Sequence, residues 1–195
     1  MTKFILAGGC DRLYPEYLTQ LARVIETAVQ QPKILSCWFS NSDEESEAKF
    51  PEYQAHFLKF FSEGSSFIKA DRVTFIDQIR SADVIYFHGG HTELLFTALE
   101  PYGDLRASFE GKIVVGSSAG TNYLSSFGFS PRKASAQKGS GILDIATVVH
   151  YGSAGFGDMK FEPSFWDDAV KQVREKSGKQ EVLLLHEGTF SVIDT

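Results

Sequence analysis

Ile113-Val114-Val115-Gly116-Ser117-Ser118-Ala119-Gly120-Thr121-Asn122-Tyr123-Leu124 decides the fold. Three consecutive apolar, β-branched residues read as a strand buried on both faces, which is the habit of parallel sheets. The small residues that follow allow a sharp reversal, and Thr121 to Phe127 resumes with helical spacing. A strand running through a tight turn into a helix is the setting of a nucleophile elbow, spelled Gly-x-Ser-x-Gly, with Ser118 at its apex. Glycines flank that serine because a larger side chain would collide with the adjoining strand or helix. The competing reading is a plain β-to-α turn with a solvated serine.

Working outward, short apolar runs alternate with longer segments of helical period. Phe4 to Ala7 closes on Gly8-Gly9, and Leu18, Leu21, Val24, Ile25, Ala28 and Val29 line one helical face that Pro32 ends. Ile34 to Phe39 is a second strand. The acidic stretch Asn41 to Glu47 leads into a helix over Phe50 to Phe61, and Phe67 to Lys69 is an edge strand. Phe75 to Ser81 is a short helix. Asp83 to Phe87 is a strand ending at His88-Gly89-Gly90, and Thr92 to Leu99 is helical. After the elbow, Gly128 to Gly141 reads as a basic loop and Thr147 to Val149 as a strand. Phe165 to Lys176 is a helix, and Val182 to Leu185 pairs with Phe190 to Ile193 around Glu187-Gly188. This alternation predicts one domain over residues 1–195, a three-layer α/β/α sandwich with a mostly parallel central sheet.

The 195 residues carry a formal charge of −6, which argues against nucleic acid as a partner because phosphate binding needs a basic face. No apolar run reaches the eighteen or so residues of a membrane span, and the N-terminal apolar run is too brief for an export signal. The two cysteines, Cys10 and Cys37, fall in no metal-ligand spacing and imply no disulfide framework, so the expected location is the cytoplasm. No cofactor and no metal are expected. A small peptide is the expected partner, and a homodimer is compatible with the chain.

A serine hydroxyl needs a base. Of the five histidines, His150 is the best placed, since it ends a strand and precedes the loop Tyr151-Gly152-Ser153. His56 lies mid-helix, and His186 reads as a structural histidine at a hairpin. The N–H of Ala119 is one donor for a developing oxyanion. Gly90 is the second, with Gly89 in reserve, because their loop also joins a buried strand to a helix at the carboxyl edge of the sheet, where ligands of such folds bind.

These segments resemble, in the right order, the serine peptidases that include aspartyl dipeptidase (peptidase E) and cyanophycinase, which share a flavodoxin-like fold with the class I glutamine amidotransferases. The matching pieces are Gly8-Gly9, Val84 to Thr92, Gly116 to Gly120, and Gly139-Ser140-Gly141-Ile142-Leu143 leading to His150. The resemblance implies a hydrolase acting on dipeptides or small peptides through an acyl-enzyme on Ser118, with His150 as base and oxyanion donors at Gly90 and Ala119. It also implies substrate contacts at Gly89, His91 and Thr92. His91 departs from the asparagine usual after the paired glycines.

The resemblance further implies an acid between the elbow and the histidine, yet Thr121 to Leu143 contains none. Asp144, Asp158 or Glu187 are the acidic substitutes, and Gln137 or Ser135 the neutral ones. Arg132, Lys133, Lys138 and His91 are the cations available for an acidic substrate residue. The missing acid keeps a weakly active, small-ligand-binding relative in view as an alternative. An esterase of the α/β-hydrolase type needs more chain after the serine than is present. A glutamine amidotransferase needs cysteine at the elbow.

Overall fold

A computed structural model describes residues 1–10, 13–156 and 158–195. Five parallel strands form most of the central sheet: β1 (Lys3–Ala7), β2 (Lys33–Cys37), β3 (Ser66–Lys69), β4 (Val84–Phe87) and β5 (Ile113–Ser117). With β12 (Phe190–Asp194) antiparallel at one edge, the order is β12-β1-β5-β4-β2-β3. This is the mostly parallel α/β architecture expected from the sequence.

Strand alternation explains the layers. Ile5, Ala7, Val84, Tyr86, Ile113 and Val115 face one side with α1 (Pro15–Ala28) and α2 (Asp43–Phe57), which bury Tyr17, Leu18, Leu21, Ile25, Tyr53 and Phe57 there. Phe4, Leu6, Ile85, Phe87 and Val114 face the other, against α3 (Phe75–Ser81), α4 (Thr92–Leu99) and α5 (Ala119–Leu124). Both faces are covered, so the strands are apolar throughout rather than alternating. Burying one such side chain contributes roughly 1.5–3 kcal/mol, and truncating fully buried Leu21 to alanine costs about 2–5 kcal/mol.

A third apolar cluster lies beside the sheet, where α6 (Pro163–Ser177) packs Trp166, Ala169 and Val173 against Phe129, Ala136 and Val148. The residues expected to form a loop after the elbow are here a hairpin of β6 (Phe127–Ser130) and β7 (Ser135–Lys138), with Phe129 opposite Ala136. Polar β7 lacks strand-forming residues and is held by α6, a tertiary cause that local sequence does not carry. A two-residue pair, β9 (Gly155–Phe156) and β10 (Met159–Lys160), adds a second small ribbon.

Two further expectations are corrected. Helix α2 starts at Asp43, because Ser42 and Glu45 form a reciprocal capping box, and Pro51 is carried inside it. The last two strands do not pair with each other: β11 (Leu183–Leu185) runs parallel to β8 (Thr147–Val149), while β12 joins β1. Among the described residues no helix is long and apolar enough to cross a membrane.

The register fixes where chemistry gathers. Ala7 is level with Ser117, and Phe87 with Gly116. The loops leaving β1, β4 and β5 therefore meet at one carboxyl edge.

Candidate active site

At the β5–α5 junction Ser118 adopts φ 49° and ψ −102°, a conformation L-residues avoid. It is held there by its own N–H to Ala7 O (3.1 Å) and by Asn122 N–H to its carbonyl (2.9 Å). Thr121 Oγ1 stitches the turn from within, donating toward Ala7 O and Gly116 O. The flanking glycines are steric necessities: a methyl on Gly116 would stand 2.7 Å from Thr121 N, and one on Gly120 would stand 2.3 Å from Phe87 O.

Ser118 Oγ lies 2.8 Å from His150 Nε2, and His150 Nδ1 lies 2.8 Å from Glu187 Oε1. An ionised carboxylate only accepts, so the imidazole proton sits on Nδ1 and Nε2 is left as an acceptor facing the serine hydroxyl. His150 is buried at the end of β8, with φ 55° and its N–H on Gly8 O. A methyl on Gly9 would come within 2.4 Å of the ring's Cε1, so glycine there is what admits the imidazole. Gly8-Gly9 also ties in the acid, for Gly188 N–H donates to Gly9 O and Gly8 N–H to Thr189 O.

Glu187 is held below the ordinary carboxylate range, first by the hydrogen bond from His150, against the opposing effect of burial. The Cys10 and Ser153 side chains nearby add to that lowering, while burial and then the Glu187 charge push the Tyr14 hydroxyl up. The acid beside His150 thus comes from 37 residues beyond it, not from the stretch between elbow and histidine where the resemblance put it. Asp144 instead pairs with Lys179 at 2.9 Å, Asp158 is exposed, and Ser135 and Gln137 belong to β7.

The loop His88-Gly89-Gly90 leaves β4 against the elbow, where a methyl on Gly89 would stand 3.4 Å from Ser118 Cβ. Ser40, wholly buried, donates its hydroxyl toward His88 O and Gly89 O (2.9 Å each), and Asn41 Nδ2 donates to Gly89 O at 3.1 Å. In a trans peptide the C=O and N–H point oppositely, so pinning Gly89 O turns the Gly90 N–H away from Ser40 and Asn41. Among the described turns, loops and caps neither Gly90 N–H nor Ala119 N–H has a backbone acceptor.

His88 is no base for this site. It is buried, bonded to Ser36 Oγ at 2.8 Å and stacked on Trp38, and burial pushes its pKa down to about 3. His56 lies in α2 against Phe60, and His186 is exposed beside Tyr151.

A narrow cleft of about 20 Å³ opens over Ser118 and His150, lined also by Gly90, His91, Thr92 and Arg132. His91 is exposed at its rim and Thr92 is buried in its wall. Lys133 is engaged by Glu93 at 2.5 Å, and Lys138 is exposed on β7 outside the lining. Sequence reading named Ser118, Ala119, His150, Gly89, Gly90, His91 and Thr92, and Glu187 among several candidate acids, and the fold gathers these here. It did not find Ser40 or Asn41, whose only signal was their place after the second strand.

A doubly covered, mostly parallel sheet with a hydroxyl–imidazole–carboxylate row at its carboxyl edge has the architecture of an α/β hydrolytic enzyme. The model of peptidase family S51 matches residues 39–194, and the chain belongs to that family. Among solved structures it is similar to a "Putative Peptidase E Protein" from Listeria monocytogenes EGD-e, with a TM-score of 0.67 and 16% identity over 99% of this chain and 97% of that one. That likeness is one of fold. Comparison with curated proteins gives no significant match.

Proposed function

We propose that the protein is a cytoplasmic serine peptidase that hydrolyses dipeptides or other short peptides through an acyl-enzyme on Ser118. The observation that carries this reading is the unbroken row of two 2.8 Å hydrogen bonds, Ser118 Oγ to His150 Nε2 and His150 Nδ1 to Glu187 Oε1. As Ser118 Oγ attacks the scissile carbonyl, His150 Nε2 takes the hydroxyl proton and Glu187 stabilises the imidazolium. The N–H groups of Gly90 and Ala119 receive the negative oxygen of the tetrahedral intermediate. His150 then delivers its proton to the leaving amine, and a water, deprotonated by the same nitrogen, releases the acyl group. The cycle balances with these residues and water alone.

The family assignment supports a peptidase, and the cleft sets Gly90, His91, Thr92 and Arg132 around the hydroxyl–imidazole pair. Arg132 and His91 at that cleft suit a substrate with an acidic residue. Glu187, one of the acids the sequence offered as substitutes, lies 2.8 Å from His150 Nδ1, which supports the hydrolase reading over a weakly active ligand-binding relative. The test is labelling of wild type and Ser118→Ala by a fluorophosphonate, together with turnover of a panel of Asp-X and neutral dipeptides. Labelling and turnover present only in wild type are expected. Dipeptide hydrolysis that persists in folded Ser118→Ala would overturn the assignment.

A further inference from the structure

Cys10 plays no part in the acyl-transfer cycle, yet its thiol lies beside both His150 and the Glu187 carboxylate. Its Sγ, an imidazole nitrogen of His150 and a carboxylate oxygen of Glu187 all lie within 4.8 Å of one another. Nothing in the spacing of these residues along the chain forms a metal motif. The fold assembles the set from the glycine turn after β1, the end of β8 and the turn between β11 and β12.

Sulfur, imidazole nitrogen and carboxylate oxygen are the three donors zinc uses, whereas magnesium and calcium demand oxygen. In a tetrahedral zinc site, with about 2.3 Å to sulfur and about 2.0–2.2 Å to nitrogen or oxygen, neighbouring donors stand roughly 3.4–3.6 Å apart. The 2.8 Å between His150 Nδ1 and Glu187 Oε1 must therefore open by about 0.6 Å, a small side-chain adjustment.

We propose that Cys10, His150 and Glu187 form a site for a thiophilic divalent cation such as Zn²⁺, with water as fourth ligand, and that its occupation switches the catalytic row off. Binding displaces the thiol proton of Cys10 to solvent. It also takes Nδ1 as ligand, so the one proton of the neutral imidazole moves to Nε2. That nitrogen then faces Ser118 Oγ as a donor and cannot accept the hydroxyl proton, while Glu187 is diverted to the metal. The inhibitory consequence rests on the serine-peptidase reading. The binding itself does not.

The test uses the full, untagged chain stripped with a chelator and titrated with Co²⁺, then with Zn²⁺. One equivalent of Co²⁺ is expected to give the visible bands of a tetrahedral ion and a near-ultraviolet thiolate-to-metal band, both displaced by Zn²⁺. The sequence has one other cysteine, Cys37, which is buried with its thiol pushed up to about 12, so the sulfur band reports Cys10. Cys10→Ala should lose the band and weaken Zn²⁺ binding at least about a hundredfold, and its residual peptide hydrolysis should no longer respond to Zn²⁺. Cys10→Ser, which keeps the side-chain volume, should likewise lose the band and serves if the alanine variant does not fold.

Absence of a sulfur band at saturating Co²⁺, or Zn²⁺ affinity unchanged in the folded variants, overturns the proposal. Binding as described with no hydrolysis of any peptide would leave the metal site standing and remove the peptidase reading. Ser118-dependent hydrolysis without metal binding would do the reverse.

Discussion

Replacing Glu187 by glutamine is the sharpest probe of the row, because it removes a charge and little else. The glutamine side chain could still accept the hydrogen bond from His150 Nδ1 through its carbonyl oxygen, so the tautomer that leaves Nε2 free is kept. What disappears, in the cycle we propose, is the attraction between carboxylate and imidazolium as Ser118 gives up its proton. For charge centres about 4 Å apart and an effective dielectric constant of about 20, that attraction is about 4 kcal/mol, or roughly a thousandfold in rate. The corresponding amide swap in the Ser-His-Asp template costs roughly 10⁴, there through the wrong imidazole tautomer, so a loss above about 10³ in Glu187→Gln would mean that the amide also turns its N–H toward Nδ1. Glu187 is only 16% exposed, so solvent screening leaves most of this effect in place. The expected result is a fall in kcat of about 10³ with KM little changed, and an intermediate loss in Glu187→Asp, which keeps the charge one methylene back. Steady-state kinetics on the best dipeptide, with thermal unfolding as the control for folding, measure it. A loss under about tenfold in a folded Glu187→Gln protein would refute the assignment of Glu187 to the row.

Three further outcomes follow from the structure. Ser40→Ala frees the Gly89–Gly90 peptide from one of its two anchors and should lower kcat about tenfold while KM for substrate barely moves; removing an oxyanion donor outright costs about 10²–10³. Affinity for a peptide boronate, which needs that donor, should fall in parallel and return in Ser40→Thr, whereas equal losses in kcat and in ground-state binding would argue against the clamp. His88, whose pKa is pushed from 6.5 to about 3 by burial, should stay neutral by NMR in the native protein down to acid unfolding. Because the unfolded chain takes up that proton below pH 6.5 and the folded one does not, stability should decline on acidification, approaching about 1.4 kcal/mol per pH unit from this group. Glu187, with its carboxyl depressed, adds acid sensitivity only below about pH 4.5, where the unfolded carboxyl begins to protonate and the folded one resists; a His88 ring that titrates near 6.5 in the native state would refute the first of these.

How far the sequence discloses this protein depends on whether the cause is local. The sheet and its two covers were legible because Ile113-Val114-Val115, Val84 to Phe87 and the α1 stripe carry their burial in their own spacing. Ser118 was legible for the same reason, since the glycines that let the turn form lie within two residues of it. The acid was legible only as one of several candidates, Asp144, Asp158 and Glu187, and one topological step accounts for why the sequence could not choose among them. If the last two strands are read as a hairpin, Glu187 belongs to a distant turn. The actual partner of β11 is β8, in parallel, with Leu185 level with Val149. Carried one residue further, that register sets His186 beside His150, and the next residue, Glu187, closes on the imidazole at 2.8 Å. The parallel pairing is itself enforced from outside both strands: α6 and its tryptophan cover β8, while the open edge of β1 takes β12. An edge left vacant at β1 and a helix that needs a floor thus decide which carboxylate reaches His150, and the same choice brings Cys10 within reach of both.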